Sequence, residues 1–412
     1  MIGTEAFAAR VFTGRDVRVP FVINAMPSLP VLLLDGGLGT CLESKPYNIQ
    51  FSAATPLWAS HLLISSPQTL LELHKAYVGA GSDVILTATY QASLEGFAAT
   101  RRHPSIDSDP SKSQGNGAEL AKDGGSGSKS ESYSEEDAFQ TMRSAVPLAR
   151  KAFSIADRPG EIALSLGAYG ATMRPSAEYT GNYVPEEMNT SEGLARWHRQ
   201  RLEVFHSDAA IWRDVDYVAF ETLPVLAEVC AIREAMSQYN SDKKWWISCV
   251  FPNDDLNLPD GTAVSDLVDA MIGGAHTGGQ KPWGIGINCT SITKLESLIV
   301  LFEAAVMASI QNSQAQASNL QQTWPWLVVY PDVAEGLVYN TVSQTWDAVE
   351  KPCGTKITSS WDEEVAMIVR RASERALWKG ILVGGCCKTT PDHIARLRAR
   401  LIDQALYNQP HE

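Results

Sequence analysis

The chain has 412 residues, 44% hydrophobic and 20% charged, with a net charge of −13. An acidic balance without a basic stripe argues against nucleic-acid binding, and no apolar run reaches the ~18–20 residues of a membrane-spanning helix. Seven cysteines, few and odd in number, are not a disulfide framework and fit a reducing, cytoplasmic compartment.

Met1–Pro30 intersperses charges with apolar residues, so a secretory signal is not expected, and residues 1–23 read as an N-terminal extension. The first apolar run is Val31–Asp35, followed by the glycine-rich turn Gly36-Gly37-Leu38-Gly39-Thr40 and a helical pattern over Pro67–Gly79. After the run Val84–Tyr90 comes a stretch of Ser, Gly, Asp, Lys and Glu, Ser105–Glu136. It lacks the apolar surface to offset its ordering entropy and reads as a flexible, low-complexity surface insertion. The rhythm then resumes with runs Glu161–Gly167, Tyr217–Glu221, Trp246–Phe251, Gly284–Cys289, Leu327–Tyr330 and Ile381–Cys387. Helical patterns fall between and after them at Val225–Met236, Ala263–Ile272, Ile292–Met307, Glu363–Trp378 and Asp392–Leu401. Residues 24–406 read as a single domain and 407–412 as a tail.

Apolar strands without strict alternation suggest burial on both faces, as in a parallel sheet. Eight of them alternating with helices predict a (β/α)₈ TIM barrel in preference to a doubly wound open sheet. Active sites of such barrels sit at the carboxyl ends of the strands. Six runs end in polar or metal-binding groups: Asp35, Thr89-Tyr90, Glu221-Thr222, Asn288-Cys289, Tyr330-Pro331-Asp332 and Cys386-Cys387.

A lone cysteine is ordinarily a small buried hydrophobe, and Cys41, Cys230, Cys249 and Cys353 take that reading. The vicinal pair Cys386-Cys387 differs. Neighbouring side chains on a strand point to opposite faces, so for both to reach one ion the strand must stop, with Gly384-Gly385 supplying backbone freedom. Thr390, Pro391 and Asp392 are suited to start a helix directly after. With Cys289, three thiolates from two strand ends would make a zinc site with one position left open, the pattern of catalytic rather than structural sites. A redox dithiol formed by Cys386 and Cys387 is the competing reading.

The eight histidines show no metal-binding spacing, and His74, His198, His206 and His393 fall on helical segments. The turn after Asp35 matches neither phosphate-binding glycine motif. Glu221 is more informative, because glutamate is depleted in strands and costly to bury without a partner. Asp35 and Glu221 together could hold the α-ammonium of an amino acid through charge-assisted hydrogen bonds.

Taken with Thr89-Tyr90-Gln91-Ala92-Ser93, Gly167-Ala168-Tyr169-Gly170-Ala171, Glu178-Tyr179-Thr180-Gly181-Asn182-Tyr183 and Phe220-Glu221-Thr222-Leu223-Pro224, these motifs resemble the homocysteine S-methyltransferase family. Leu34-Asp35-Gly36-Gly37, Gly286-Ile287-Asn288-Cys289 and Gly384-Gly385-Cys386-Cys387-Lys388-Thr389-Thr390-Pro391 carry the same likeness, strongest to the S-methylmethionine-using branch. The resemblance spans about Val31 to Leu401. It implies a zinc-dependent barrel, with one zinc ion per chain, that methylates homocysteine to methionine. Cys289, Cys386 and Cys387 would be the metal ligands, Asp35 and Glu221 would contact the homocysteine amino group, and Tyr90 and Asn288 would line the pocket. The partners implied are small molecules, homocysteine and a sulfonium methyl donor, with no membrane or nucleic acid and no indication of oligomeric state.

One segment departs from the family pattern. Where the branch carries Tyr-Pro-Asn-Ser-Gly, this chain reads Tyr330-Pro331-Asp332-Val333-Ala334-Glu335-Gly336, with the register recovered at Ser343-Gln344-Thr345-Trp346. The departure bears on the donor, S-methylmethionine or S-adenosylmethionine, more than on the metal. A betaine-using or selenocysteine-methylating relative, and a catalytically silent zinc-stabilised barrel acting as a binding protein, are the alternatives.

Overall fold

Eight apolar runs form eight parallel strands, and their order around the sheet is their order along the chain, apart from the closure. In a computed structural model of the protein, the described residues are 29–52, 55–101, 132–239, 243–273, 280–312, 324–333, 337–340, 345–348 and 359–407. The strands are β1 (Val31–Leu33), β2 (Val84–Leu86), β3 (Glu161–Gly167), β4 (Tyr217–Leu223), β5 (Lys244–Cys249), β6 (Gly284–Ser291), β7 (Trp326–Asp332) and β8 (Ile381–Val383). β8 lies between β7 and β1. A parallel bridge, Leu34 to Val84, joins β1 to β2, with Asp83 N–H donating to Leu33 O at 2.7 Å and Asp35 N–H to Val84 O at 3.1 Å. The expected (β/α)₈ barrel is what forms.

Side-chain alternation then decides what faces where. On β4, Val218 and Phe220 pack outward under the helices, while Tyr217 and Ala219 point into the barrel. On β7, Leu327 and Val329 go outward, Val328 and Tyr330 inward. The barrel interior is therefore a packed core with Leu34, Val84, Ala163, Trp246 and Leu382, as expected of this fold. Continuing the same alternation toward the carboxyl ends places Ser165, Glu221, Ser248 and Asn288, all buried, in the layer above.

Helices cover the outside, among them Pro67–Ala80, Glu135–Ala156, Ser191–His206, Leu226–Gln238, Val264–Ile272, Ile292–Asn312, Trp361–Arg375 and Pro391–Asp403. The last starts as its sequence suggests, with Thr390 at the cap and Pro391 in the first turn. His393 completes that cap through Nδ1, 2.8 Å from Thr390 Oγ1.

Some boundaries differ from expectation. β2 stops at Leu86, not Tyr90, because the Leu86 N–H turns to the Asp35 carboxylate at 3.0 Å instead of continuing a ladder. The glycine-rich turn after Asp35 contains the start of a helix, Leu38–Glu43. Residues 105–131 of the expected insertion lie outside the described residues. Its last positions belong to the fold, since Tyr133 is buried and Ser134 with Asp137 forms a capping box for the Glu135–Ala156 helix. The expected extension over 1–23, Cys353, and 408–412 of the expected tail also lie outside the described residues, while Tyr407 is buried and donates to Asp83 at 2.6 Å. A short antiparallel pair, Leu337–Asn340 with Thr345–Ala348, follows β7 and had no counterpart in the sequence reading. Among the described residues no helix is long and apolar enough to cross a membrane.

Candidate metal centre and substrate pocket

Cys289 comes from β6, and Cys386 and Cys387 follow β8. Together with Asp332 at the end of β7 they form one cluster, whose ligand atoms all lie within 4.8 Å of one another. Two local departures from regular strand geometry aim the residues there. The β4–β5 register shifts between Phe220 and Leu223, and the β6–β7 register between Asn288 and Ser291. Inside these bulges Thr222 and Cys289 take left-handed conformations, at φ 61° and 46°, which non-glycine residues rarely adopt. Asn288 holds the pair in place: its Oδ1 accepts from Thr222 N–H at 2.8 Å and its Nδ2 donates to Thr222 Oγ1 at 2.7 Å. Thr222 Oγ1 in turn donates to Cys289 Sγ at 3.7 Å. Asn288 is among the residues lining the cavity, yet both ends of its amide are committed to Thr222.

The glycines before the vicinal cysteines act differently from the expectation. Neither Gly384 nor Gly385 has a positive φ; that conformation falls on Lys388, at φ 63°. A Cβ on Gly384 would lie 2.6 Å from Asp35 O, and one on Gly385 would collide with the Thr389 side chain. These glycines are needed for close approach between chain segments, not for torsional freedom.

Cys289 and Cys386 are joined as a disulfide, with Cα atoms 5.4 Å apart, and Cys387 is a free thiol. The sequence reading expected three thiolates, and its redox alternative paired Cys386 with Cys387; the bond instead links the two strand ends. Adjacent Cys387 contacts Tyr179 Oη through its sulfur at 3.9 Å. Burial pushes the Cys387 thiol well above its ordinary range, and the neighbouring Asp332 carboxylate pushes it further. Three sulfurs and a carboxylate this close would, once reduced and ionised, concentrate negative charge that only a cation relieves. Soft sulfur donors with one oxygen suit zinc, so the donor set fits the expected metal. Among the described residues no histidine enters this cluster. His74 and His198 are buried within helices, and His198 Nε2 is spent on Glu228 at 2.9 Å.

Of the remaining expected residues, Glu221 and Tyr90 line the same cavity, while Asp35 lies behind it, next to the lining residues Gly36 and Leu86. Asp35 is fully buried: Oδ2 accepts from Leu86 N–H, while Oδ1 has no hydrogen-bond partner. Glu221 accepts from Ser165 Oγ at 2.5 Å. Burial raises Asp35 well above the usual carboxylate range, the Leu86 N–H opposes this, and the nearby Glu221 charge adds to the rise. Glu221 is pushed up to about 7 by burial, against the lowering effect of the Ser165 and Tyr330 hydroxyls. Two buried carboxyls that feel one another, one with an idle oxygen, make a cradle for a cation. Tyr90 lines the cavity, its hydroxyl within reach of Thr222 and of the charge on Glu178.

Two residues escaped the sequence reading as site components. Glu178, quoted only inside a motif, is buried in the cavity wall with Oε2 unpartnered. Asp332, counted among the polar strand ends and read either as favouring a cationic donor or as a solvated loop carboxylate, stands among the sulfurs. The available signal was position alone: Asp332 ends a barrel strand, as the other site residues do.

Comparison with known proteins matches these elements to one family. The family model for homocysteine S-methyltransferase covers residues 32–401. The homocysteine S-methyltransferase of Escherichia coli (strain K12) is 29% identical over 378 residues, 90% of this chain and 95% of that protein. Homocysteine S-methyltransferase YbgG of Bacillus subtilis (strain 168) is 27% identical over 91% of this chain and 96% of its own length. The selenocysteine methyltransferase of Astragalus bisulcatus is 26% identical over 88% and 90%. Crystal structures of the E. coli homocysteine methyltransferase MmuM, in an oxidised and a metallated form, superpose with a TM-score of 0.59 at 25% identity, covering 90% of this chain and 96% of that one. The chain, a methyltransferase built on a (β/α)₈ barrel with its cysteine cluster at the carboxyl ends of the strands, belongs to the homocysteine S-methyltransferase family.

Proposed function

We propose that the protein, in its reduced and zinc-loaded form, transfers a methyl group from a sulfonium donor to the thiol of L-homocysteine, yielding methionine. S-methylmethionine is the favoured donor, and S-adenosylmethionine meets the same chemical requirement. The observation that carries this reading is the meeting, around one cavity, of a three-cysteine cluster and the buried Glu221 carboxyl, with the buried Asp35 carboxyl behind the lining and close enough to feel the Glu221 charge. Cys289, Cys386 and Cys387 would hold the metal. Bound there, a zinc ion would supply the Lewis acidity that keeps a substrate thiol ionised at neutral pH, where a free thiol with a pKa near ~8.5 is mostly protonated.

The chain's own residues supply position and charge. Asp35, through its idle oxygen, and Glu221 would grip the acceptor's α-ammonium. Methyl transfer forms one carbon–sulfur bond as the donor's sulfonium bond breaks, with the electron pair staying on the departing thioether. A neutral thioether leaves readily, so no general acid is required. Tyr90 and Tyr179 line the cavity and can face the cationic donor, at ~0.5–2 kcal/mol per cation–π contact, while Glu178 adds a buried negative charge on the same side. A selenol would satisfy the same site, and the match to a selenocysteine methyltransferase makes it the second acceptor to test.

The test is to reduce the purified protein, measure zinc, and follow methyl transfer from S-methylmethionine, S-adenosylmethionine and betaine to homocysteine and selenocysteine. One zinc per chain with sulfonium-dependent methionine formation is the expected result. Tight zinc without turnover on any pair would mean a silent barrel, and preference for betaine or selenocysteine would reassign the substrate.

A further inference from the structure

Arg201, on the Ser191–His206 helix, is a buried cation to which the proposed chemistry gives no part. Its guanidinium is directed at main-chain carbonyls: Nη1 donates to Gly167 O at 2.7 Å, and Nη2 to Thr89 O at 2.7 Å and Tyr90 O at 2.6 Å. Nε has no partner, and Cζ lies over the Trp197 ring, 5.1 Å from its centroid. Among the described residues no carboxylate forms an ion pair with it. A buried charge without a counter-ion is costly, even though burial lowers Arg201 only to about 10 and so leaves it charged at neutral pH.

The three carbonyls belong to the two strand ends that build one side of the cavity. After β2 stops at Leu86, the irregular stretch that places Thr87, Ala88, Tyr90 and Gln91 in the lining is tied to the end of β3. Gly167 N–H donates to Tyr90 O at 3.1 Å, and Thr89 Oγ1 to Ser165 O at 2.7 Å. Arg201 closes the same junction from the helix layer. Ser165 then donates to Glu221, and Gly167 faces Glu221 across the β3–β4 register, so clamp, wall and carboxyl form one connected unit.

We propose that Arg201 is a positioning residue for the acceptor: its guanidinium clamps the ends of β2 and β3, fixing Tyr90 and Ser165, and sets a permanent positive charge behind Glu221. The inference deepens the proposed function and rests on it. Arg201 is not in the lining of this cavity, so it acts through Glu221 and Tyr90 and not by touching substrate. Glu221 feels its charge, which opposes the upward push of burial; Asp35, Tyr90 and Tyr330 are the other titratable groups that face this carboxyl. Glu228 and Glu95 also act on Arg201. An ionised Glu221 grips an ammonium group, whereas a protonated one does not.

The experiment uses the full chain, reduced and zinc-loaded, with methionine as the probe and two variants. Arg201→Gln keeps donors for the carbonyls and removes the charge; Arg201→Lys keeps the charge with a poorer fork. In Arg201→Gln the pH midpoint of methionine binding should rise by about one unit, the scale of one nearby charge. Binding would then be about fivefold weaker at pH 7, with the difference closing by about pH 9. The homocysteine KM should rise at pH 7 with kcat little changed, while Arg201→Lys should keep the wild-type midpoint. Zinc content and circular dichroism, matched across the three proteins, exclude loss of the cluster or of the fold. Affinity lost equally at every pH, or both variants failing to fold, would make Arg201 a structural residue and overturn the proposal. Wild type that binds methionine without any pH dependence near 7 would overturn it together with the ammonium role of Glu221.

Discussion

Two groups of buried carboxylates in this barrel are treated in opposite ways. Glu228, on the Leu226–Gln238 helix, is saturated: it accepts from Tyr169 N–H at 2.7 Å and Tyr183 Oη at 2.5 Å, and pairs with His198 Nε2 at 2.9 Å. Asp35 and Glu178, equally removed from water, each keep an oxygen without any partner, and both Asp35 and Glu221 are held above the usual carboxylate range by burial. A buried polar group is normally satisfied, and an incompletely satisfied one calls for a reason. Glu228 cements the helix-to-loop packing. Under the proposed function, a cationic substrate would supply the partners that the incomplete group lacks.

The comparison can be broken most forcefully at the sulfur cluster, which shares its cavity with Glu178 and Glu221. Cys289→Ala or Cys387→Ala should reduce both zinc content and methyl transfer to background; full retention of either property in the purified variant would remove that residue from the ligand set. Next in size, Glu228→Ala should destabilise the fold by about 3 kcal/mol, because it strands a buried N–H, a hydroxyl and an imidazole. Denaturant unfolding measures this, and a change within error would show that the saturated network is not structural.

Glu221→Gln should behave in the reverse sense, weakening homocysteine binding by about tenfold, the loss of a charged partner, without lowering stability. The sign follows from the raised pKa. Between the unfolded value near 4.5 and the folded value of about 7, the native state keeps a proton that the unfolded chain has lost. The Glu221 contribution therefore lowers stability as pH rises through that window and levels off above it. Relative to wild type, the variant should gain melting temperature between pH 5 and 8. Methionine, which carries the ammonium but no thiol, should bind wild type more tightly as pH rises through about 7 and bind the variant with a flatter profile; identical profiles would refute the ammonium role. The smallest effect is expected from Glu178→Gln, a rise of about threefold to tenfold in the donor's KM with homocysteine saturation unchanged, since the amide keeps a polar oxygen toward the donor and loses only the charge. An equal effect on both substrates would place Glu178 outside the donor side.

Much of this arrangement was legible in the residues, and the reason differs from element to element. Parallel strands covered on both faces leave contiguous apolar runs such as Tyr217–Phe220, so all eight could be counted. Because barrels gather their strand ends, the residues closing those runs, from Asp35 to Cys387, fell together without any knowledge of contacts. Asn288 was only partly legible. Its position was clear, but its commitment to Thr222 depends on paired bulges in β4 and β6, which no periodicity announces. Asp332 and Glu178 were harder still. A surface carboxylate and a buried, unpartnered one are the same letter in a sequence.

Chain-local physics thus determined the barrel, the end of it that carries chemistry, and the residue types able to hold a metal and an ammonium group, since hydrophobic period and side-chain chemistry act along the chain. Tertiary structure decided which of those groups share one cluster, which carboxylates are satisfied, and that Cys289 pairs with Cys386 across 97 positions. Those outcomes depend on distances between segments that meet only when the sheet closes, and on burial, which belongs to the assembled fold and to no single stretch of it.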